Sequence, residues 1–290
     1  MPELPEVETV KRGLNKLIIG KTITTVRADN PKSFPNAEAD VRKFLVGANV
    51  TEVRRRAKVL LIDLSTDYTL VIHLKMTGQL VYIGSQDERF GAGHPTDSLV
   101  GALPDKSTRV IFHFADDSHM FFNDQRKFGW VRLMPTSEVP NIDFMKRVGP
   151  EPLEADFTST EFAVRFKRRA KTTIKAALLD QSVVAGVGNI YADEALWGAK
   201  IHPSRLVETI KPAEFKRIYT EVRTVMNLSI EKGGSTNRNY VNAEGKKGSY
   251  MEFARVFRRE GLTCPRCGTE IIKIRVAGRG THICPNDQRL

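Results

Sequence analysis

The sequence predicts a multi-domain α+β protein: an N-terminal β-sandwich with a leading helix, a helical domain, and a C-terminal β-hairpin carrying cysteines. Three observations support that order. Residues 21 to about 134 hold short β-branched and aromatic runs with no helical pattern between them, which suggests an antiparallel sandwich or barrel. Beyond Thr158 the apolar spacing becomes helical. Cys264, Cys267 and Cys284, the only cysteines, all lie near the C-terminal end.

The leading helix is predicted from Pro5 to Ile18, where Val7, Val10, Leu14 and Leu17 share a face and Gly20 stops the chain. Two readings compete for Met1-Pro2-Glu3-Leu4-Pro5-Glu6 before it. One is a plain helix start, with Pro5 at the first helical position and Glu6 and Glu8 complementing the dipole. The other begins with removal of Met1, which turns Pro2 into a terminal secondary amine. Such an amine titrates at about 7.7–8.0, against about 10.4 for lysine, so near neutrality it is a usable nucleophile. Glu3 and Glu6 lie within reach of it.

Strands follow around Ile23 and Val26, then at 59–62, 70–74, 110–114, 120–122 and 131–133, with Ala115 to Ser118 as a hairpin turn. Gly84 to Lys106, rich in Gly, Asp, Ser and Pro, reads as a long surface loop, and 135–152, with its prolines, as a linker. Thr158 and Glu161 match a capping box opening a helix through Phe166, and further helices are expected at about 172–180, 190–198 and 212–232, the last stopped by Gly233-Gly234. Asn237 to Gly248 reads as a mobile polar loop. Ile272, Ile274 and Val276 then alternate with basic residues, and Gly278-Arg279-Gly280 turns the chain back to Cys284. The expected domains are 1–134, a linker at 135–152, 153–248 and 249–290.

Composition narrows the function. No apolar run approaches the length of a membrane span, and acids stand where a signal peptide would be basic, so a soluble chain without a targeting segment is expected. Forty-five Lys and Arg against 34 Asp and Glu give a net charge of +11 and a pI near 9.6, the footprint of a nucleic-acid binder.

The hairpin carries the most specific motif. Cys264-x2-Cys267 and Cys284-x2-Asp287 have four-point zinc spacing, with aspartate where a fourth cysteine is usual. Zinc accepts carboxylate oxygen, and His282 or water are alternative fourth ligands. A hairpin without metal has too few apolar residues to order itself. Arg279, between two glycines, suits either a phosphate contact or a solvated turn. Asp180 to Tyr191 reads as a helix, a glycine-containing turn and a second helix N-capped by Asn189, whose exposed amides would suit a phosphate. Arg54 to Lys58 reads as a solvated basic edge. Arg126 and Phe128, two apart in a turn, could replace a base in a stack, whereas Met76 suits a core.

Together these residues resemble the formamidopyrimidine-DNA glycosylase family of base-excision repair enzymes. Met1 to Val10 (MPELPEVETV), Gly149 to Pro152 (GPEP), Asp180 to Ala195 and Gly278 to His282 (GRGTH) match its motifs in order and span nearly the whole chain. The resemblance implies a β-sandwich, a helix–two-turn–helix domain and a zinc finger with one structural zinc. It implies Pro2 as the nucleophile at C1′ of a damaged nucleotide, Glu3 handling protons of sugar-ring opening, Glu6 supporting, and strand cleavage by β,δ-elimination. Lys58, which also belongs with the catalytic set, His73, Asn189 and Arg279 match phosphate contacts. Met76, Arg126 and Phe128 match the residues that fill the gap left by a flipped base. Asn237 to Lys247 matches the segment covering that base. Double-stranded damaged DNA is the implied partner, with the protein a cytoplasmic, nucleoid-associated monomer. Oxidised purines are the expected lesions. The rival readings are an endonuclease VIII-like enzyme for oxidised pyrimidines and a non-catalytic damaged-DNA binder. The chain departs from the family pattern at Asp287, in the length of 85–105, and at Arg258-Arg259.

Overall fold

The computed structural model describes residues 1–235 and 250–290. The loop expected from Asn237 to Gly248, and its part in covering an extruded base, lie outside the described residues. The chain forms two compact units, Met1–Lys146 with the described part of Lys232–Ser249, and Arg147–Glu231 with Tyr250–Leu290.

In the first unit, helix α1 (Leu4–Leu17) precedes β1 (Ile23–Ala28), a short α2 (Glu38–Asp40) continued by a π turn, β2 (Val50–Arg56), β3 (Val59–Leu64) and β4 (Tyr68–His73). After these come β5 (Gly78–Ile83), β6 (Arg89–Gly93), β7 (Thr108–Phe114), β8 (His119–Asp124), β9 (Trp130–Pro135) and α3 (Asp143–Arg147). They build two antiparallel sheets, ordered β1-β7-β8-β5-β6 and β2-β3-β4-β9. Strand alternation sends Val110, Phe112 and Phe114 of one sheet and Leu60, Ile62 and Leu64 of the other into one core. Val7, Val10 and Leu14, one face of α1, enter the same core. Each such side chain contributes about 1.5–3 kcal/mol by burial, so the helix that begins at residue 4 is held by the sandwich rather than by its own propensity.

Several expectations about this unit change. Strands β2 and β5 are invisible to a hydrophobic pattern because one ends in Arg54-Arg55-Arg56 and the other starts with Gly78-Gln79. The basic run is not a solvated edge: the side chain of Arg55 is 8% exposed and Lys58 is 5% exposed. Nor is 84–106 an open loop. Strand β6 pairs with β5, and the Arg89 guanidinium donates to the carbonyls of Ser98 (3.0 Å), Leu99 (2.8 Å) and Gly101 (2.7 Å). That clasp turns Leu99 onto Val81, Ile111 and Phe121. The proline-rich stretch after β9 forms a 3-10 turn and α3, whose Val139, Ile142, Phe144 and Met145 cover Val59, Leu61 and Val71.

The second unit contains α4 (Ser159–Lys167), α5 (Ile174–Leu179), α6 (Asn189–Gly198), α7 (Pro212–Glu231) and the hairpin β10 (Ile272–Val276) and β11 (Arg279–Ile283). Thr158 caps α4 by accepting from Glu161 N (3.2 Å). The turn between α5 and α6 is closed by Gln181, whose Nε2 donates to Leu179 O (3.0 Å) and Val187 O (2.8 Å) while its Oε1 accepts from Gly186 N (2.9 Å). Gly186 sits at φ +80, where only glycine is unstrained. Gly149, from the GPEP motif, donates to Gln181 O (2.7 Å), and a Cβ there would meet Ser182 O at 2.9 Å. The N-cap of α6 is Gly188 rather than Asn189, which takes the first helical position instead. Among the described residues no helix is long and apolar enough to cross a membrane.

Candidate functional site

The N-terminal head is buried from Pro2 to Val10, while Met1 is exposed. A reciprocal capping box opens α1. The Glu3 side chain accepts from the Glu6 N–H, and Glu6 Oε2 accepts from Glu3 N (2.7 Å). The other Glu6 oxygen, Oε1, accepts from Ser235 N (2.8 Å). Gly234, just before Ser235, lies at φ +89, left-handed backbone that favours glycine, within contact distance of Glu6. Read as a helix stop in the sequence, that glycine also faces a candidate catalytic carboxylate.

Lys58 follows Ala57, which adopts φ +51 in the two-residue turn joining β2 to β3. Arg55 ties that turn to α1, donating from Nε to Glu8 Oε2 (2.9 Å) and from Nη1 to Ala57 O (3.0 Å). Neither Arg55 nor Glu8 stood out as a positioning residue in sequence, since the pair is 47 residues apart. Val59 is the register partner of His73, so the sheet brings Lys58 and His73 together. His73 Nδ1 accepts from Lys75 N (3.0 Å), which places the ring proton on Nε2. Burial, with the Lys75 and Lys58 cations adding to it, holds the imidazole down at about 3. This histidine is therefore a neutral donor and not a cation at pH 7.

The gap-filling candidates occupy two loops at one end of the five-stranded sheet, where Gly78 of β5 pairs with Asp124 of β8. Met76 is half-buried and follows Lys75, at φ +50. Arg126 and Phe128 are exposed on either side of Lys127, at φ +57, with the guanidinium 4.8 Å from the Phe128 ring centre. Left-handed backbone at a non-glycine residue costs about 1–3 kcal/mol and persists only where surrounding contacts enforce it. Met76 does not sit in the core as its sequence context suggested.

In the second unit, Asn189 Nδ2 donates to Gly280 O (3.0 Å), which brings the start of α6 beside the exposed Arg279 at the hairpin tip. Asn189 Oδ1 is buried and has no hydrogen-bond partner among the described residues. Beneath lies a network that the sequence did not reveal. Lys175, fully buried, donates to Asp193 Oδ1 (2.6 Å) and Thr281 Oγ1 (2.6 Å), and Asp193 Oδ2 accepts from His282 N (2.9 Å). Glu194, equally buried, accepts from the backbone N–H of Arg255, Val256 and Phe257 and from the Tyr250 hydroxyl. Burial pushes its carboxyl above the usual range even against those donors.

Ligand atoms of Cys264, Cys267, Cys284 and Asp287 all lie within 4.8 Å of one another. Cys267 Sγ to Cys284 Sγ is 3.4 Å, and Cys264 Sγ to Asp287 Oδ2 is 3.8 Å. A tetrahedral zinc with bonds of about 2.0–2.3 Å has edges of about 3.3–3.8 Å, so the set fits one structural ion. His282 is excluded as the fourth ligand because Nδ1 faces Asp193 Oδ2 (3.1 Å) and Nε2 faces Glu260 Oε2 (3.2 Å). Asp287 also meets the Arg266 guanidinium (3.2 Å), which lies 3.8 Å from the Trp197 ring centre.

Known proteins resemble this chain from end to end. The chain matches family models for the formamidopyrimidine-DNA glycosylase N-terminal domain over residues 1–131, the formamidopyrimidine-DNA glycosylase H2TH domain over 148–241, and a zinc finger found in FPG and IleRS over 261–289. A formamidopyrimidine-DNA glycosylase from Pelotomaculum thermopropionicum is 42% identical, with 100% of both chains covered. A point mutant of Lactococcus lactis FPG, solved with Fapy-dG-containing DNA, superposes at a TM-score of 0.87 with 35% identity over 100% of both chains. Lactococcus lactis Fpg bound to DNA containing an abasic site gives 0.87 and 35%, covering 99% of this chain and 100% of that one.

Proposed function

This chain belongs to the formamidopyrimidine-DNA glycosylase family, and from that premise we propose how this DNA glycosylase of base excision repair works and on what. It excises oxidised purines, 8-oxoguanine and formamidopyrimidines among them, from double-stranded DNA and then cleaves the strand as an AP lyase. With Met1 removed, the Pro2 amine attacks C1′ and the damaged base leaves. Glu3 takes the proton from the nitrogen of the adduct and returns it to the ring oxygen as the sugar opens, and the resulting Pro2 iminium acidifies C2′ for β- and then δ-elimination. Glu6 fixes the head. Lys58, neutral His73, Asn189 and Arg279 take backbone phosphates, and Met76, Arg126 and Phe128 enter the emptied stack. The zinc, when bound, holds the hairpin that presents Arg279 and supplies no step of the chemistry. The enzyme works as a monomer with the nucleoid in the cytoplasm.

The observation that carries this reading is the locked head, in which Glu3 and Glu6 cap each other and Ser235 holds the second Glu6 oxygen. A carboxylate pair so constrained pre-organises a proton-transfer group beside a terminal amine. Borohydride trapping on a duplex containing 8-oxoguanine opposite cytosine tests it. A covalent adduct is expected with the mature protein and none with Pro2→Gly combined with Glu3→Gln. No adduct from the wild type, or an undiminished one from the double variant, refutes the assignment, and faster excision of thymine glycol would move the substrate to oxidised pyrimidines.

A further inference from the structure

Asp124 belongs to none of the roles above, yet its side chain is the joint between the two loops that carry Met76, Arg126 and Phe128. It is fully buried at the end of β8. One oxygen, Oδ2, accepts from Gly129 N (2.6 Å), and the other, Oδ1, accepts from Arg126 N (3.2 Å), so a single carboxylate holds both ends of the Arg126 to Phe128 turn. Oδ1 also accepts a hydrogen bond from the Thr77 hydroxyl, and Thr77 Oγ1 in turn accepts from Arg126 N (3.0 Å). Thr77 directly follows Met76.

The backbone of Asp124 is itself tied down. Asp124 N donates to Ser107 O (2.8 Å), and Asp124 O accepts from Arg109 Nε (2.9 Å), whose side chain is 7% exposed. Gly129 is closely fitted, since a Cβ there would meet Phe122 Cζ at 2.7 Å and Asp124 Oδ2 at 3.0 Å. Each loop also carries a non-glycine residue in left-handed backbone, Lys75 and Lys127, immediately beside a gap-filling side chain. Bonds donated to a carboxylate acceptor are the strong kind that can hold such conformations.

We propose that Asp124, acting with Thr77, is a positioning residue that makes these two loops one rigid wedge, so that all three side chains enter the duplex together when the damaged base leaves. The inference rests on the gap-filling role proposed for Met76, Arg126 and Phe128. Its specific consequence is that the clasp matters only where there is a stack to fill. A single-stranded oligonucleotide with a preformed abasic site offers the same C1′ to Pro2 but no paired stack. Asparagine at 124 would keep the size but present one acceptor where three donors converge, and valine at 77 would remove the link between loops.

The test compares single-turnover cleavage of an 8-oxoguanine:cytosine duplex and of a single-stranded oligonucleotide with a preformed abasic site, for wild type, Asp124→Asn, Thr77→Val and Thr77→Ser. A 2-aminopurine next to the lesion reports unstacking. Asp124→Asn and Thr77→Val should slow the duplex reaction and the fluorescence rise by about tenfold or more, the loss of one charge-assisted hydrogen bond. Single-strand cleavage should stay within about twofold, and Thr77→Ser should restore the duplex rate. Equal losses on both substrates would mean a merely structural role and would overturn the proposal, as would an unchanged duplex rate. A wild type inert toward both oligonucleotides would overturn the activity reading itself, and this inference with it.

Discussion

Replacing Asp287 by alanine tests the unusual zinc ligand set most directly. Structural zinc sites of this kind bind with an apparent free energy of about 10–16 kcal/mol near neutral pH. Four ligand atoms share that energy here, and two observed edges of 3.4 and 3.8 Å match a tetrahedron, so no ligand is remote from the ion. Losing one of four equal contributions removes about 2.5–4 kcal/mol, which at about 1.4 kcal/mol per tenfold weakens binding by about 60- to 700-fold. The assay is competition for zinc against a chromophoric chelator of known affinity, with metal content per chain measured in parallel. Asp287→Cys should keep one zinc per chain. The substitution to alanine also strips Arg266 of an acidic partner, and Arg266→Gln controls for this. Affinity within about threefold of wild type in Asp287→Ala, or the same loss in Arg266→Gln, would refute ligation by Asp287.

Two further expectations concern buried groups. The His73 ring resonances should show no titration between pH 8 and 5 in an NMR experiment, because its folded value of about 3 lies far below the ordinary 6.5. The unfolded chain then binds the proton first, so this residue subtracts from stability progressively as pH falls from about 6.5 towards 3, and an inflection near 6.5 would refute the neutral donor. Lys175→Met strands the Asp193 carboxylate in a fully buried position and should cost about 3–5 kcal/mol. Urea unfolding monitored through Trp197, in a Trp130→Phe background, measures it, and a loss below about 1 kcal/mol would show that the network is not closed as described.

The legible parts of this molecule are those whose signal is local. α1, the strands with apolar alternation, the capping residue Thr158 and the cysteine spacing all declare themselves within a dozen residues. Strand β2 did not, since its basic residues are satisfied by partners on other segments, as Arg55 is by Glu8 and Arg54 by Asp63. The ordered 84–106 segment escaped for a related reason: one arginine donating to three carbonyls substitutes for the apolar pattern that normally marks structure. Lys175, Asp193 and Glu194 look like an ordinary polar helix face in sequence, and only long-range pairing reveals that all three are buried. Asn189 has the chemistry of a cap, yet its side chain turns to Gly280, a residue 91 positions away.

The bond between Glu6 and Ser235 spans 229 residues, so the head of α1 waits for a segment made much later. At a synthesis rate of about 5–20 residues per second, roughly 10–50 seconds separate the two. During that interval Glu6 Oε1 has no Ser235 N–H to accept from, and the head of α1 lacks that long-range tie. Closure of the head at Glu6 thus reports that the chain has been made at least through Ser235.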